Sequence, residues 1–194
     1  MNTKLILIRH GDTEYSKNKL YCGFTDKELC SEGYAQAESL KAKLADEHID
    51  SVYSSDLKRA FTTAGIIFPD MDIIKEASLR ELNFGLWEGL SYKDIMAKNG
   101  HLYSNWLKDF INLPTPQGES LNDLNMRVMK TLMNMVKIHS GETIAIIGHG
   151  GPFAVIICSL FKKPLENFWD LVPPIASVTE IVSVNKSYDI KRRE

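Results

Sequence analysis

Short apolar runs alternate with amphipathic stretches along the chain. The runs Leu5–Ile8 and Ile144–Ile147 are apolar and rich in β-branched residues, which is typical of strands buried on both faces. Further strands are indicated at 51–54, 73–74, 177–184 and 188–190. Helices are expected between the strands, at about 31–47, 55–67, 91–99, 102–111, 120–139 and 153–161. Because strands and helices alternate, we expect an α/β fold with a largely parallel central sheet.

A helical insert interrupts this alternation at about residues 87–117. Ser91 and Asp94 form a capping-box pattern that opens its first helix, and Asn99-Gly100 is a typical helix stop. A second short helix, which carries Trp106, follows before a break rich in proline. The insert either lies over a pocket as a cap or packs against the sheet in the ordinary way.

Both long apolar runs end in a histidine followed by a glycine. Leu5–Ile8 leads into Arg9-His10-Gly11, and Ile144–Ile147 leads into Gly148-His149-Gly150. Ligands of open α/β sheets bind outside the carboxyl ends of the strands. If the two strands are neighbours, His10 and His149 therefore share a site. Taken singly, each run is equally compatible with a strand whose polar end faces water.

Two arginines have short routes to the same edge of the sheet. Arg9 ends the first apolar run, and Arg59 lies in the first turn of the helix that follows 51–54. Guanidinium groups bind phosphate oxygens in a two-pronged manner, and a neutral imidazole can attack phosphorus. Two histidines, two arginines and a nearby carboxylic acid therefore favour phosphoryl transfer. By itself, Arg59 fits a solvated surface residue better than a ligand.

A metal site is the competing interpretation of the two histidines. It is weaker, because the chain has neither a His-x-x-x-His nor a Cys-x-x-Cys pair. The three cysteines are too widely spaced for a zinc site or a disulfide framework, and they are Cys22, Cys30 and Cys158. The remaining histidines are expected at the surface, and they are His48, His101 and His139.

Composition limits the partner and the compartment. The chain has 194 residues and a formal net charge of −2, so neither nucleic acid nor an anionic membrane is an expected partner. The apolar N-terminal run is too short for a signal peptide, and no segment is long enough to span a membrane. Reduced thiols are the natural state of the cysteines, so we expect a cytoplasmic protein. A single domain over residues 1–194 suits this length.

Five short motifs follow one another along the chain. They are Arg9-His10-Gly11, the segment 53–60, the acid loop 79–89, Gly118-Glu119-Ser120 and Gly148-His149-Gly150-Gly151. In this order they resemble the motifs of the histidine phosphatase superfamily, the phosphoglycerate-mutase-like proteins. The resemblance implies a three-layer α/β/α sandwich with a mostly parallel central sheet and a small helical cap. It implies no metal and no other cofactor.

The resemblance also implies roles for individual residues. His10 would be the nucleophile that carries the phosphoryl group, and Glu81 would be the acid toward the leaving oxygen and later the base for water. The phosphate would be held by Arg9, Arg59 and His149. Further substrate contacts are implied for Ser16, Cys22, Gly23 and Gly150, with Tyr103 and Trp106 as candidates in the cap. Many members have asparagine where this chain has Ser16.

Within the superfamily, Tyr21-Cys22-Gly23 and the insert around Trp106 most resemble the α-ribazole phosphatases of cobalamin assembly. This implies hydrolysis of a small phosphate ester, α-ribazole 5′-phosphate, with phosphoserine or a sugar phosphate as the alternative. A mutase would carry an arginine pair in the insert for a substrate carboxylate, whereas this insert offers only Lys93, Lys98 and Lys108. A phosphate-binding protein without catalysis is disfavoured, because every expected catalytic residue is present.

Overall fold

A computed structural model of the chain describes residues 3–184 and 187–193. Its strands are β1 (Lys4–Arg9), β2 (Ser51–Ser54), β3 (Ile73–Lys75), β4 (Thr143–Gly148), β5 (Val178–Val184) and β6 (Ser187–Arg193). They form one sheet in the order β3-β2-β4-β1-β5-β6. Strands β1 to β4 run parallel, whereas β5 pairs with both of its neighbours in the antiparallel sense. The sheet is therefore mixed, and the two long apolar runs lie side by side in its parallel part.

Helices pack on both faces of this sheet. The α-helices are α1 (Glu14–Lys17), α2 (Ser31–Lys43), α3 (Lys58–Ile67), α4 (Tyr92–Lys108), α5 (Leu121–Ile138), α6 (Gly150–Leu160) and α7 (Phe168–Leu171). Short 3₁₀ turns lie at Ala77–Leu79, Gly85–Trp87 and Leu165–Asn167. The predicted pairing of 188–190 with β5 is confirmed. Residues 185 and 186 of the expected turn between them lie outside the described residues.

The alternation of side chains along the central strands creates two cores. Successive residues of a strand point to opposite faces of the sheet. Leu5 and Leu7 of β1 are buried with residues of α4, α5, α6 and α7. Ile6 and Ile8 of the same strand are buried with residues of α2 and α3. The resulting arrangement of helices, sheet and helices confirms the expected three-layer sandwich.

The insert forms one long helix whose inner side is buried. Ser91 caps α4 through the predicted capping box. The helix kinks at Asn99 (φ −144°, ψ 40°), where a stop was predicted, and then continues to Lys108. Tyr103 and Trp106 on its inner side belong to the buried cluster that also contains Leu5 and Leu7 of β1.

Candidate active site

The two histidines meet at the carboxyl edge of the parallel strands. Strands β1 and β4 are neighbours in parallel register, with Arg9 opposite Gly148. His10 and His149 follow directly, and the centroids of their rings lie 5.0 Å apart at an angle of 64°. The neighbouring-strand arrangement on which the shared site depended is therefore present.

One ring nitrogen of His10 forms a hydrogen bond, which leaves the other available as a nucleophile. Its Nδ1 lies 2.7 Å from the carbonyl oxygen of Gly11, and because a carbonyl can only accept, Nδ1 carries the proton. In the neutral ring, Nε2 then holds the lone pair that a nucleophile requires. Burial, reinforced by the charges of Arg59 and Arg9, lowers the pKa of His10 well below its ordinary value of 6.5. His10 is therefore neutral near pH 7.

Arg59 lies inside the protein, with only 1% of its surface exposed. Its Nη1 donates to the carbonyl oxygen of Thr25 at 2.9 Å, and its Nη2 donates to that of Gly23 at 2.7 Å. These two bonds fix the plane of a guanidinium that lines the same cavity as His10. The surface placement that suits Arg59 in isolation is therefore not the one found.

Arg9 and His149 retain buried polar atoms without partners. Arg9 donates through Nη1 to the carbonyl of Pro173, but its Nε has no hydrogen-bond partner among the described residues. His149 contacts the hydroxyl of Ser55 through Nε2 at 2.9 Å, and its Nδ1 is likewise unpartnered within the described part of the chain. Burial is the main cause of a His149 pKa well below 6.5. Unsatisfied buried polar atoms are costly unless a ligand completes them, and beside two arginines that ligand is expected to be an anion.

Glu81 lines the same cavity. Its Oε1 accepts hydrogen bonds from the amide of Leu82 at 2.8 Å and from that of Gly151 at 3.0 Å. A Cβ atom on residue 151 would lie 2.1 Å from this oxygen, so only glycine allows the contact. Gly151, the last residue of the motif around His149, therefore allows its amide to hold the Glu81 carboxylate.

Arg127 of α5 holds the acid loop from behind. Its guanidinium donates to the carbonyl oxygens of Ser78, Arg80 and Glu81 at 2.7–2.8 Å. It also pairs with the carboxylate of Glu119 at 2.8 Å, so its charge is balanced. The backbone that carries Glu81 is therefore clamped by three hydrogen bonds to a single side chain.

The cavity beside these residues is open and has a volume of about 280 Å³. Four of its ionisable lining side chains, here called the polar half, are Arg9, His10, Arg59 and Glu81. Its aromatic and aliphatic lining side chains, here called the aromatic half, include Tyr21, Phe84, Phe168, Trp169, Val172 and Ile175. Lys19, an exposed residue, adds a cation to the cavity wall. The lining therefore offers charged groups to an anion and apolar side chains to the rest of an ester.

The other predicted contact residues divide between the cavity and its surroundings. Ser16 and Cys22 line the cavity. The Ser16 hydroxyl already donates to Asp12 at 2.7 Å, and burial raises the pKa of the Cys22 thiol. Gly23 and Gly150 are not among the lining residues, and the Gly23 amide is turned away to a carboxylate of the acid loop. A Cβ on residue 150 would lie 3.0 Å from the Arg9 guanidinium carbon, so this glycine makes room for Arg9.

The two candidates from the cap lie one layer behind the cavity. Tyr103 and Trp106 are 7% and 2% exposed, and neither is a lining residue. The Tyr103 hydroxyl lies 2.7 Å from that of Tyr21, and the Trp106 ring centroid lies 6.1 Å from that of Trp169. Both side chains therefore support residues of the aromatic half instead of lining it themselves.

Sequence reasoning missed two residues that shape the cavity. Arg127 had a readable signal, since it is a charged residue beside Leu124 and Val128 in the apolar stripe of α5. Trp169 had none, because it lies in a short helical segment without a motif. Of the histidines expected at the surface, His139 is half-buried, and its Nε2 lies 2.8 Å from the Tyr53 hydroxyl.

Neither a metal-binding cluster nor a membrane-spanning helix is found among the described residues. Within residues 3–184 and 187–193, no group of three or more His, Cys, Asp or Glu side chains is arranged to hold a metal ion. None of the helices in the same residues combines the length and apolar character that crossing a membrane requires.

The chain belongs to the histidine phosphatase superfamily (branch 1), whose family model matches residues 5–194. Phosphoserine phosphatase 1 of Hydrogenobacter thermophilus is 33% identical over 86% of this chain and 80% of its own length. The adenosylcobalamin/alpha-ribazole phosphatase of Escherichia coli is 31% identical over 86% of this chain and 83% of its own. The crystal structure of the alpha-ribazole phosphatase from Shigella flexneri superimposes with a TM-score of 0.91 at 28% identity, covering 98% of this chain and 95% of the other.

Family, relatives and cavity together define a phosphoric monoester hydrolase that acts on a small phosphate ester. These relatives carry two different substrate names. The similarity therefore defines the class of reaction, whereas the alcohol part of the ester depends on the residues that line the cavity.

Proposed function

We propose that the chain hydrolyses its ester through a phosphohistidine on His10. The observation that supports this most strongly is the environment of His10, a neutral imidazole with Nδ1 tied to a carbonyl and two arginines beside it. Nε2 attacks phosphorus in line with the ester oxygen, a P–N bond forms and the P–O bond to the leaving group breaks. Glu81 protonates the departing oxygen, so an alcohol leaves.

The second half of the reaction reverses the role of the acid. The Glu81 carboxylate takes a proton from water, whose oxygen attacks phosphorus, and the P–N bond breaks to release phosphate and neutral His10. Arg9 and Arg59, which line the cavity, and His149, which is not a lining residue but whose ring lies against that of His10, are the proposed partners of the phosphoryl oxygens in both steps. A bound dianion favours the protonated form of His149, which strengthens its hold on the phosphate.

The test of this mechanism is the variant His10→Ala compared with His101→Ala, which replaces an exposed histidine on α4. We expect His10→Ala to lose p-nitrophenyl phosphate hydrolysis by about 10³-fold or more, because the nucleophile is gone. It should also lose the acid-labile phosphoenzyme that the wild type forms on rapid quenching. Hydrolysis by folded His10→Ala at the wild-type rate would refute the mechanism, and His101→Ala should match the wild type in both assays.

We further propose α-ribazole 5′-phosphate as the favoured substrate. Its flat benzimidazole base matches the aromatic half of the cavity, where Trp169 is 45% exposed and free to offer a ring face. The similarity to alpha-ribazole phosphatases of Escherichia coli and Shigella flexneri supports this choice.

Phosphoserine is the second candidate. The similarity to phosphoserine phosphatase 1 and the presence of Lys19 on the cavity wall, where it can pair with a carboxylate, favour it. Against it, Glu81 is the one acidic residue among the described lining residues, so the ammonium group has no second carboxylate to meet. A comparison of kcat/KM for α-ribazole 5′-phosphate, O-phosphoserine and a sugar phosphate decides between them, and a preference for phosphoserine would overturn the α-ribazole proposal.

A further inference from the structure

Glu88 sits at the centre of a set of backbone amides. Its two carboxylate oxygens accept hydrogen bonds of 2.8–3.2 Å from the amides of Gly23, Phe24, Thr25 and Phe84. Three of these amides are consecutive in one loop, residues 22–25. A carboxylate that accepts several backbone bonds makes charge-assisted contacts, which are stronger than bonds between neutral groups. The loop is therefore anchored to the acid-loop segment by one side chain.

The opposite side of the same loop meets Arg59. The carbonyls of Gly23 and Thr25 accept from the two terminal nitrogens of Arg59 at 2.7 and 2.9 Å. Because each peptide unit is planar and trans, holding the Phe24 amide on Glu88 also fixes the direction of the Gly23 carbonyl. Holding the Thr25 amide fixes the backbone directly before the Thr25 carbonyl. The loop thus connects a carboxylate outside the cavity with a guanidinium inside it.

The contact between Glu88 and the loop is too close for any residue but glycine at position 23. A Cβ atom there would lie 2.5 Å from the Glu88 carboxylate and 1.9 Å from the carbonyl oxygen of Leu82. Gly23 was predicted to contact the substrate, but in the structure it contacts Glu88. Gly23 allows this anchoring instead of offering its amide to the cavity.

We propose that Glu88 is a positioning residue, which sets the orientation of the Arg59 guanidinium through the backbone of residues 22–25. Glu88 is not a lining residue of the cavity, so it acts on the substrate only through Arg59. The inference rests on the proposed function in one respect, since it takes Arg59 to be a phosphate ligand. Loss of the carboxylate leaves the loop amides without their acceptor, and the carbonyls that orient Arg59 are released.

The test is a double-mutant cycle with Glu88→Gln and Arg59→Lys in the full chain. Lysine keeps the charge of Arg59 but cannot form the same fork to two carbonyls. In the wild-type background, we expect Glu88→Gln to weaken the binding of inorganic phosphate, measured by calorimetry, by about tenfold and to raise KM for p-nitrophenyl phosphate similarly, since small displacements of a positioned group are costly. In the Arg59→Lys background, Glu88→Gln should alter phosphate affinity by less than about twofold, because the effects of substitutions at coupled residues are not additive.

Asp50→Asn is the matched control. The Asp50 carboxylate also holds a backbone amide, that of Thr143 at 2.8 Å, but at the opposite end of β4 from the histidines. We expect it to lower the melting temperature without changing phosphate affinity. This separates an effect on Arg59 from a general loss of stability.

Several outcomes overturn the inference. One is a Glu88→Gln protein that binds phosphate as the wild type does, and another is equal weakening in both backgrounds. If Glu88→Gln does not fold, Glu88→Asp keeps the charge on a shorter arm, and wild-type phosphate affinity in that variant overturns the inference as well. A wild type that neither binds phosphate nor forms a phosphoenzyme refutes the proposed function itself, whereas an active wild type with an indifferent Glu88 refutes only this step.

Discussion

The polar and aromatic halves of the cavity are built in different ways. In the polar half, His10 and Arg59 are buried, and their ring and guanidinium nitrogens are bound to backbone carbonyls. In the aromatic half, Trp169 is 45% exposed and rests on the rings of Trp106 and Phe168. Chemistry that depends on charge needs groups fixed in advance, whereas an apolar surface tolerates different leaving groups. This contrast accounts for relatives that share one reaction but carry different substrate names.

Removal of Arg127 tests the rigidity of the polar half most severely. Arg127→Ala deletes the clamp on the backbone of Glu81, leaves three carbonyls without this donor and removes the cation that pairs with the Glu119 carboxylate. We expect kcat to fall by about 100-fold, since the proposed general acid Glu81 is displaced, while KM changes little. Steady-state kinetics with p-nitrophenyl phosphate measure both constants. Unchanged kcat in a folded variant would show that the acid loop is held without this residue.

The pH dependence of stability tests the burial of the two histidines. Burial lowers the pKa of His10 and His149 in the folded chain, so below their ordinary value of 6.5 the unfolded chain binds more protons. Stability should be fully present above pH 6.5 and should fall as the pH drops, by about 1.4 kcal/mol per pH unit for each histidine. In His149→Asn, the free energy of unfolding measured with urea between pH 5 and 8 should depend less steeply on pH, because one of the two buried histidines is gone.

The exposed His101 provides the comparison for that experiment. His101→Asn should retain the wild-type slope, because His101 is exposed and its replacement leaves both buried histidines in place. If His149→Asn and His101→Asn give equal slopes, burial in the folded chain does not hold His149 in its neutral form.

Replacement of Trp169 tests the aromatic half and should have the smallest effect. Trp169→Ala removes an exposed ring that we expect to stack on an aromatic leaving group, a contact worth about 1 kcal/mol. The ratio kcat/KM for α-ribazole 5′-phosphate should fall about fivefold, whereas that for O-phosphoserine should hardly change. Trp169→Phe keeps a ring face and should recover most of the loss. Equal losses for both esters would assign Trp169 a role in folding of the cavity instead of selectivity.

The two histidines of the site could be predicted from the chain, because each comes directly after an apolar run. His10 directly follows β1 and His149 directly follows β4, so a parallel pairing of two apolar runs is enough to bring the rings together. Glycines beside them mark contacts that a side chain would block, as at Gly151 against Glu81. Local patterns are sufficient there, because each residue is placed by the strand or helix that precedes or follows it.

The aromatic half could not be predicted in the same way. Tyr21, Phe84 and Trp169 come from three distant segments, and no spacing between them signals a common wall. Tyr103 and Trp106 had the same aromatic character as Trp169, yet α4 buries them in the core one layer away. Burial of an aromatic ring depends on what packs on both of its sides, which a single segment does not contain.

The residue pattern alone predicts the alternation of strands and helices and a histidine directly after each of the two long apolar runs. These predictions follow from periodicity and strand direction, which are local properties of the chain. That the two runs are neighbouring strands is known only from the packed sheet. The burial of Arg59 between loop carbonyls, the clamp of Arg127 on the backbone of Glu81 and the anchoring of residues 22–25 by Glu88 likewise appear only in the folded chain. Those contacts join residues from 34 to 65 positions apart in the chain, and their geometry exists only once both cores have packed.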